Sequence, residues 1–145
     1  MVSILNIPLE EARTHLRNLS AEKKLGWAYE QFGSGFVVTT SFGIQSAVLL
    51  NMLHQLQGDK SIPVIWVDTG YMPPETYNYA NQLSNQLDLD VHIVQSALSP
   101  ARMEALHGKL WETGSTEDLE KYHLIRKVQP LEEALTRLNV SCWAS

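Results

Sequence analysis

Apolar positions recur along this chain in two ways: every three to four residues, and in short unbroken runs. Leu9, Ala12, Leu16 and Leu19 fall on one face of a first helix, and Ala21, Leu25, Ala28 and Phe32 on one face of a second. Ser20 suits the N-cap of the second helix and Gly33 its stop. Together they predict an N-terminal helical pair over residues 1–33. A strand-like run, Phe36 to Thr40, follows. Helical spacing resumes with Val48, Leu49, Met52, Leu53 and Leu56 turned toward a sheet, and Gly58-Asp59 marks the exit.

Val64-Ile65-Trp66-Val67 is apolar without interruption, as expected of a strand covered on both faces. Pro73-Pro74 starts a further helix with Tyr77, Ala80, Leu83 and Leu87 as its buried stripe. Val91 to Val94 predicts a third strand, Ser99-Pro100 a cap followed by a helix, and Asn139 to Ala144 a fourth strand. Gln129-Pro130 is expected to open the last helix, bearing Leu131, Ala134, Leu135 and Leu138. Repeated βα units predict an α/β domain over residues 34–145, a doubly wound parallel sheet with right-handed crossovers.

Composition narrows this picture. A chain of 145 residues, 44% hydrophobic and 19% charged, suits one globular domain. A net charge of −5 gives no support for a nucleic-acid surface, so an anionic ligand must be met by local donors. The single cysteine, Cys142, excludes an intrachain disulfide and fits a reducing compartment. No apolar run approaches a membrane span, and the start, Met1 to Pro8, lacks a basic leader. The expectation is a cytoplasmic protein with no membrane or nucleic-acid partner. His15, His54, His92, His107 and His123 lack ligand spacing, so no metal is expected.

In doubly wound sheets, ligands sit beyond the carboxyl ends of the strands. Thr39-Thr40-Ser41-Phe42-Gly43-Ile44-Gln45-Ser46 lies there, between a strand and a helix start. The first amides of a helix lack internal partners, so a loop of small residues at this junction suits a phosphate. Gly43 would allow close approach or a positive φ. An ordinary βα connection is the plain alternative. After the second strand comes Asp68-Thr69-Gly70-Tyr71-Met72-Pro73-Pro74-Glu75-Thr76. Here Asp68 could accept from a ribose or an adenine amine, Gly70 could admit a ligand, and Tyr71 could face a base; a simple capped helix start competes. Arg126-Lys127 is the densest cationic pair, suited to phosphate or sulfate, with Lys127 the better candidate. A solvated helix end is its bland reading.

The exact residues narrow these choices. Thr40 to Ser46 resembles the PP-loop of adenine-nucleotide enzymes in the form carried by phosphoadenosine phosphosulfate (PAPS) reductases. Phe42 and Gln45 replace the second Gly and the Asp of S-G-G-x-D-S, which speaks against ATP pyrophosphatase or sulfurylase-like chemistry. Asp68 to Thr76 is similar to the sulfonucleotide reductase segment D-T-G-Y-x-F-P-E-T, departing at Met72-Pro73. Gly108 to Glu112 resembles G-K-L-W-E, and Lys121 to Leu131 resembles K-Y-x-x-x-x-K-V-x-P-[ML]. Relatives that reduce adenosine phosphosulfate carry a Cys-Cys pair where this chain has Tyr122-His123. That pair ligates an iron–sulfur cluster, which one cysteine cannot support.

The resemblance, over about residues 25 to 145, implies a Rossmann-like fold of the PP-loop, adenine nucleotide alpha-hydrolase-like type. It implies reduction of PAPS to sulfite and adenosine 3′,5′-bisphosphate, with thioredoxin or glutaredoxin as external reductant, no bound cofactor, and possible homodimers. Substrate-binding candidates are Ser41, Phe42, Gly43, Ile44, Gln45, Ser46, Asp68, Thr69, Gly70, Tyr71 and Lys127. Family members continue into a Gly-[Leu/Val]-Arg-Arg motif and a tail whose cysteine attacks the substrate sulfur. This sequence ends before both, so the expectation is a domain incomplete at its carboxyl side, with the nucleophile beyond Ser145. By itself it should bind nucleotide poorly and leave PAPS unreduced. Cys142, expected on one strand face with Val140 and Ala144, reads as an inert buried thiol. A non-catalytic nucleotide-binding or dimerisation remnant is the remaining alternative.

Overall fold

The computed structural model describes residues 7–58 and 60–145. The start of the N-terminal pair, residues 1–6, and Asp59 at the exit of the third helix lie outside them. Helix α1 (Leu9–Arg17) buries Ala12 alone; Leu9 is exposed and Leu19 lies past the helix end, so the expected stripe is only partly used. Helix α2 (Ala21–Phe32) follows the sequence closely. The Ser20 hydroxyl accepts from the Lys23 N–H at 3.3 Å, and Gly33 ends the helix at φ 51°. A short 3₁₀ turn, Gly33–Gly35, leads into β1 (Phe36–Thr40).

Helix α3 (Ser46–Gln57), β2 (Pro63–Val67), α4 (Pro74–Gln86) and β3 (Asp90–Val94) extend the sheet outward from β1 in two βα steps. In α3 the inward face carries Leu50 and Leu53, whereas Val48, expected to face the sheet, is exposed. Helix α5 (Pro100–His107) is capped by Ser99 as its sequence predicts. Helices α6 (Thr116–His123) and α7 (Gln129–Arg137) are joined without a break by a π-helical turn, Leu124–Val128.

That junction corrects the expected helix start at Gln129-Pro130. The Gln129 N–H reaches back five residues to the Leu124 carbonyl, and the backbone stays helical through Val128. The wider register accommodates a proline that has no N–H to give. The true start is Ser115, whose hydroxyl accepts from the Asp118 N–H.

The four strands are parallel in the order β3-β2-β1-β4, with β4 only Cys142–Ala144 rather than the longer strand expected. Alternation sorts the two faces. Phe36, Val38, Val64 and Trp66 pack with α2, α3 and α4; Val37, Ile65 and Val94 pack with α7. The sheet is therefore doubly wound, as predicted. Leu25 and Ala28 of α2 belong to the same core as the strands. The chain leaves β1 in one direction for β2 and returns on the other side for β4. A crevice opens where the direction reverses, above the carboxyl ends of β1 and β4. Among the described residues, no helix is long and apolar enough to cross a membrane.

Candidate functional site

The loop from β1 to α3 occupies this reversal point. Its backbone is pinned at three places: Phe42 N–H to the Thr40 hydroxyl at 3.0 Å, Ser46 N–H to the Gly43 carbonyl at 2.9 Å, and Val48 N–H to the Gln45 carbonyl at 3.2 Å. Gln45 holds the N-cap position without a side-chain cap bond. The amides of Gly43, Ile44, Gln45 and Ala47 enter no turn or cap bond, which leaves N–H groups at a positive helix end.

The residue that turns the chain is not the expected one. Phe42, not Gly43, adopts positive φ, at 52°. Its ring is buried edge-on against Trp66, 4.9 Å between centroids, so core packing holds a backbone state that a side chain normally resists. Ile44, next but one, is 94% exposed. Gly43 is uncrowded: a Cβ there would come no closer than 3.6 Å to the Ser41 hydroxyl.

Below this loop lies a cavity of about 790 Å³. Thr39, Thr40, Ser41, Gln45 and Ser46 form its polar wall, and Leu49, Met52, Ile65, Val67 and Leu131 form an apolar one. Thr69, Met72 and Ser145 also line it. Lys127 is the one charged residue among those lining it. Small hydroxyls, a helix start and a single ammonium have the chemistry to receive an anion attached to an apolar body.

The second loop divides its residues differently from the sequence reading. Thr69 reaches the cavity, while Asp68 serves the protein. Its carboxylate accepts from the Tyr77 hydroxyl at 2.7 Å, the Gly70 N–H at 2.8 Å and the Gln95 amide at 2.6 Å. Burial pushes this carboxyl up, but the three hydrogen bonds and the nearby Arg126 charge outweigh it and hold it below its ordinary value. Tyr71 turns its ring to Trp111 and Tyr122, at 4.6 and 6.1 Å, and donates its hydroxyl to Glu104 at 2.9 Å. Gly70, at φ 77°, is required by the protein: a Cβ there would lie 2.6 Å from Pro100. Phe42, Gly43, Ile44, Asp68, Gly70 and Tyr71 are thus absent from the cavity wall that Ser41, Gln45, Ser46, Thr69 and Lys127 share.

Arg126 fits neither reading of the cationic pair, the anion binder or the solvated helix end. It is 2% exposed, its Nε donating to the Thr69 carbonyl at 2.8 Å and its terminal nitrogens to the Thr69 and Leu98 carbonyls. Sequence reasoning also missed Gln95 and the apolar wall of α3. Gln95 carries no local signal, whereas the Leu49–Met52 spacing was legible as a helix face but not as a cavity lining.

Cys142 is half-buried in β4, and burial pushes its thiol up. It packs with Ala144 on one face, while Val140, expected beside it, packs on the other because the strand begins only at Cys142. No cluster of three metal-ligating side chains occurs among the described residues.

Comparison with known proteins gives a consistent result. Residues 35–145 match the phosphoadenosine phosphosulfate reductase domain. The phosphoadenosine 5′-phosphosulfate reductase of a Synechococcus strain is 50% identical over 137 residues, 94% of this chain and 58% of that protein. Its counterpart in Synechocystis is 46% identical over 97% of this chain and 56% of that protein, and that of Salmonella typhi 43% over 94% and 55%. The chain spans a little over half the length of the curated relatives it matches. A crystal structure of phosphoadenylyl-sulfate reductase from Candida auris, a phosphate complex, superposes with a TM-score of 0.78 at 27% identity, covering 96% of this chain and 68% of that one.

Proposed function

The chain belongs to the phosphoadenosine phosphosulfate reductase domain family, and from that premise we propose that its cavity grips PAPS for reduction to sulfite. The observation that carries this reading is that Lys127 lines the same cavity as Ser41, Gln45 and Ser46 of the β1 loop and is the one cationic side chain there. In an acidic chain, that local arrangement supplies the attraction an anionic nucleotide needs. The free amides at the start of α3 and the hydroxyls of Ser41 and Ser46 orient phosphate or sulfate oxygens, and the apolar wall excludes water from the body of the ligand.

In the proposed reaction, a cysteine thiolate supplied by sequence outside these 145 residues attacks the sulfur of the sulfuryl group. The bond from that sulfur to the bridging oxygen breaks, and adenosine 3′,5′-bisphosphate departs with the electron pair. The resulting S-sulfonate is attacked by a dithiol reductant, thioredoxin or glutaredoxin, which releases sulfite and ends as a disulfide. A reducing cytoplasm, which keeps such dithiols reduced, is the compartment we propose for this reaction.

Cys142 favours a second reading for the chain on its own: nucleotide binding without thiol chemistry, because burial disfavours its thiolate. Calorimetry with adenosine 3′,5′-bisphosphate and with Mg-ATP tests the binding, and a sulfite-release assay with thioredoxin tests the chemistry. The expected result is weak, selective binding of the bisphosphate and no sulfite. Tighter binding of Mg-ATP, with pyrophosphate release, would overturn the assignment.

A further inference from the structure

We infer that Arg126 is a positioning residue, one that sets Lys127 and Thr69 on the cavity wall without itself meeting the ligand; this rests on the reading of the cavity as an anion site. The guanidinium is among the most buried large side chains of the protein. Among the described residues it forms no salt bridge; its partners are two backbone carbonyls, those of Thr69 and Leu98, and the face of Tyr71 at 5.6 Å. Asp68 is near enough to feel this charge but does not bond it, and a buried charge without a bonded ion partner is costly; an apolar side chain of similar length would fill the same space with less penalty.

The geometry accounts for the charge. Thr69 and Leu98 belong to the loops that leave β2 and β3, and the planar fork donates to both carbonyls at once with its N–H directions fixed. The fork thereby ties two strand exits to the π-helical turn. Consecutive residues of that turn go to separate destinations: Arg126 into the protein, Lys127 to the cavity. Thr69, held by its carbonyl, lines the same cavity. Gly70 keeps the approach open, since a Cβ there would sit 3.1 Å from a guanidinium nitrogen. A lysine on a flexible stem gains direction only if its backbone is fixed, and the Arg126 fork fixes it.

The test is a double-mutant cycle on the 145-residue chain, with adenosine 3′,5′-bisphosphate affinity measured by calorimetry at two salt concentrations. Arg126→Met is expected to weaken binding about tenfold in the native background and less than about twofold in a Lys127→Gln background. Arg126→Met should leave the salt dependence as it was, whereas Lys127→Gln should flatten it, because only a charge that meets the ligand is screened there. Arg126→Lys, which keeps the charge and loses the fork, should behave like Arg126→Met. Equal losses in both backgrounds, a salt dependence flattened by Arg126→Met, or full rescue by lysine would each overturn the proposal.

Amide hydrogen exchange on the ligand-free chain supplies an arm that does not need the nucleotide. Arg126→Met should speed exchange at Gly70, Tyr71 and Lys127 about tenfold or more, with Val38 and Ile65 in the sheet unchanged. A uniform rise across the sheet and these loops would sink the positioning role. Absence of any binding by the native chain would instead count against the anion-site reading, and the exchange pattern would still decide whether Arg126 orders this wall.

Discussion

The Phe42 ring meets the Trp66 indole edge-on at 4.9 Å, and this contact holds the candidate phosphate loop in a backbone state at φ 52° that most side chains avoid. Ring burial and backbone strain therefore oppose each other at one residue. Phe42→Ala should lose about 3–5 kcal/mol to the cavity left beside Trp66. Phe42→Gly loses the same packing but relieves about 1 kcal/mol of left-handed strain, so it should match or exceed the alanine variant in stability. Urea denaturation measures both, and a glycine variant clearly weaker than alanine would remove strain from the account.

Asp68 ties β2 to α4 through Tyr77 and to β3 through Gln95. Its carboxyl lies below 3.8, so the native state favours the ionised form more than the unfolded chain does. The stabilisation is fully present above the unfolded value and is lost as pH falls through the lower, folded one. Asp68→Asn should cost about 1–3 kcal/mol at neutral pH. The gap to the native protein should close in melts carried below pH 3.8. A gap independent of pH would show that shape, not charge, sets the contribution of this residue.

Much of this fold was legible because its elements carry local signals. Val64 to Val67 is apolar on both faces because helices cover both, and Ser20 and Ser99 cap the helices they precede. The unbroken helix from Thr116 was not legible, since Pro130 reads as a start when a π register can absorb it. The role of Arg126 was hidden for a related reason: a charge beside Lys127 reads as an anion binder or a solvated helix end until distant carbonyls are brought to it. Of the candidate site, the β1 loop could be read from strand, small residues and helix in sequence. The division of labour in the second loop could not, because it depends on Gln95, Pro100 and Trp111 arriving from elsewhere.

Tyr71 gives the protein an alkaline signature. Burial, then the hydrogen bond and charge of Glu104, push its hydroxyl from 10.0 up to about 12, and Tyr77 moves the same way. Native stability from Tyr71 is complete below pH 10.0 and is lost as pH rises toward about 12, and that from Tyr77 is lost in the same direction. Absorbance titration of phenolate should find Tyr71 and Tyr77 still un-ionised just above pH 10.0 until unfolding releases them. Tyr71→Phe should remove one of these two. Ionisation of Tyr71 and Tyr77 near 10.0 in the folded protein would contradict the packing described.

Cys142 pairs with Phe36 across β4 and β1, and its thiol is raised by burial. Iodoacetamide should therefore modify the folded chain about tenfold more slowly than a free model thiol, with the normal rate returning in guanidinium. Cys142→Ser should leave nucleotide affinity unaltered, since the side chain packs with Ala144 away from the cavity lining. Fast modification of the folded chain would instead mark Cys142 as an activated nucleophile and reopen its place in the chemistry.

Two glycines separate the demands of the fold from those of a ligand. At Gly70 a Cβ would lie 2.6 Å from Pro100 with φ at 77°, so both space and backbone forbid it. Gly70→Ala should cost about 1–3 kcal/mol in stability whether or not ligand is present. At Gly43 the nearest atom to a Cβ is 3.6 Å away and φ is ordinary, so Gly43→Ala should change stability by no more than about 0.5 kcal/mol. The same alanine stands among the free amides at the start of α3, where an anion would press against the backbone. Its expected effect is a several-fold loss of adenosine 3′,5′-bisphosphate affinity on a chain as stable as the parent, and bulkier Gly43→Val should lose more. Undiminished affinity in both variants, alongside intact binding by the parent, would mean that the nucleotide is held elsewhere in the cavity and that the β1 loop is an ordinary turn.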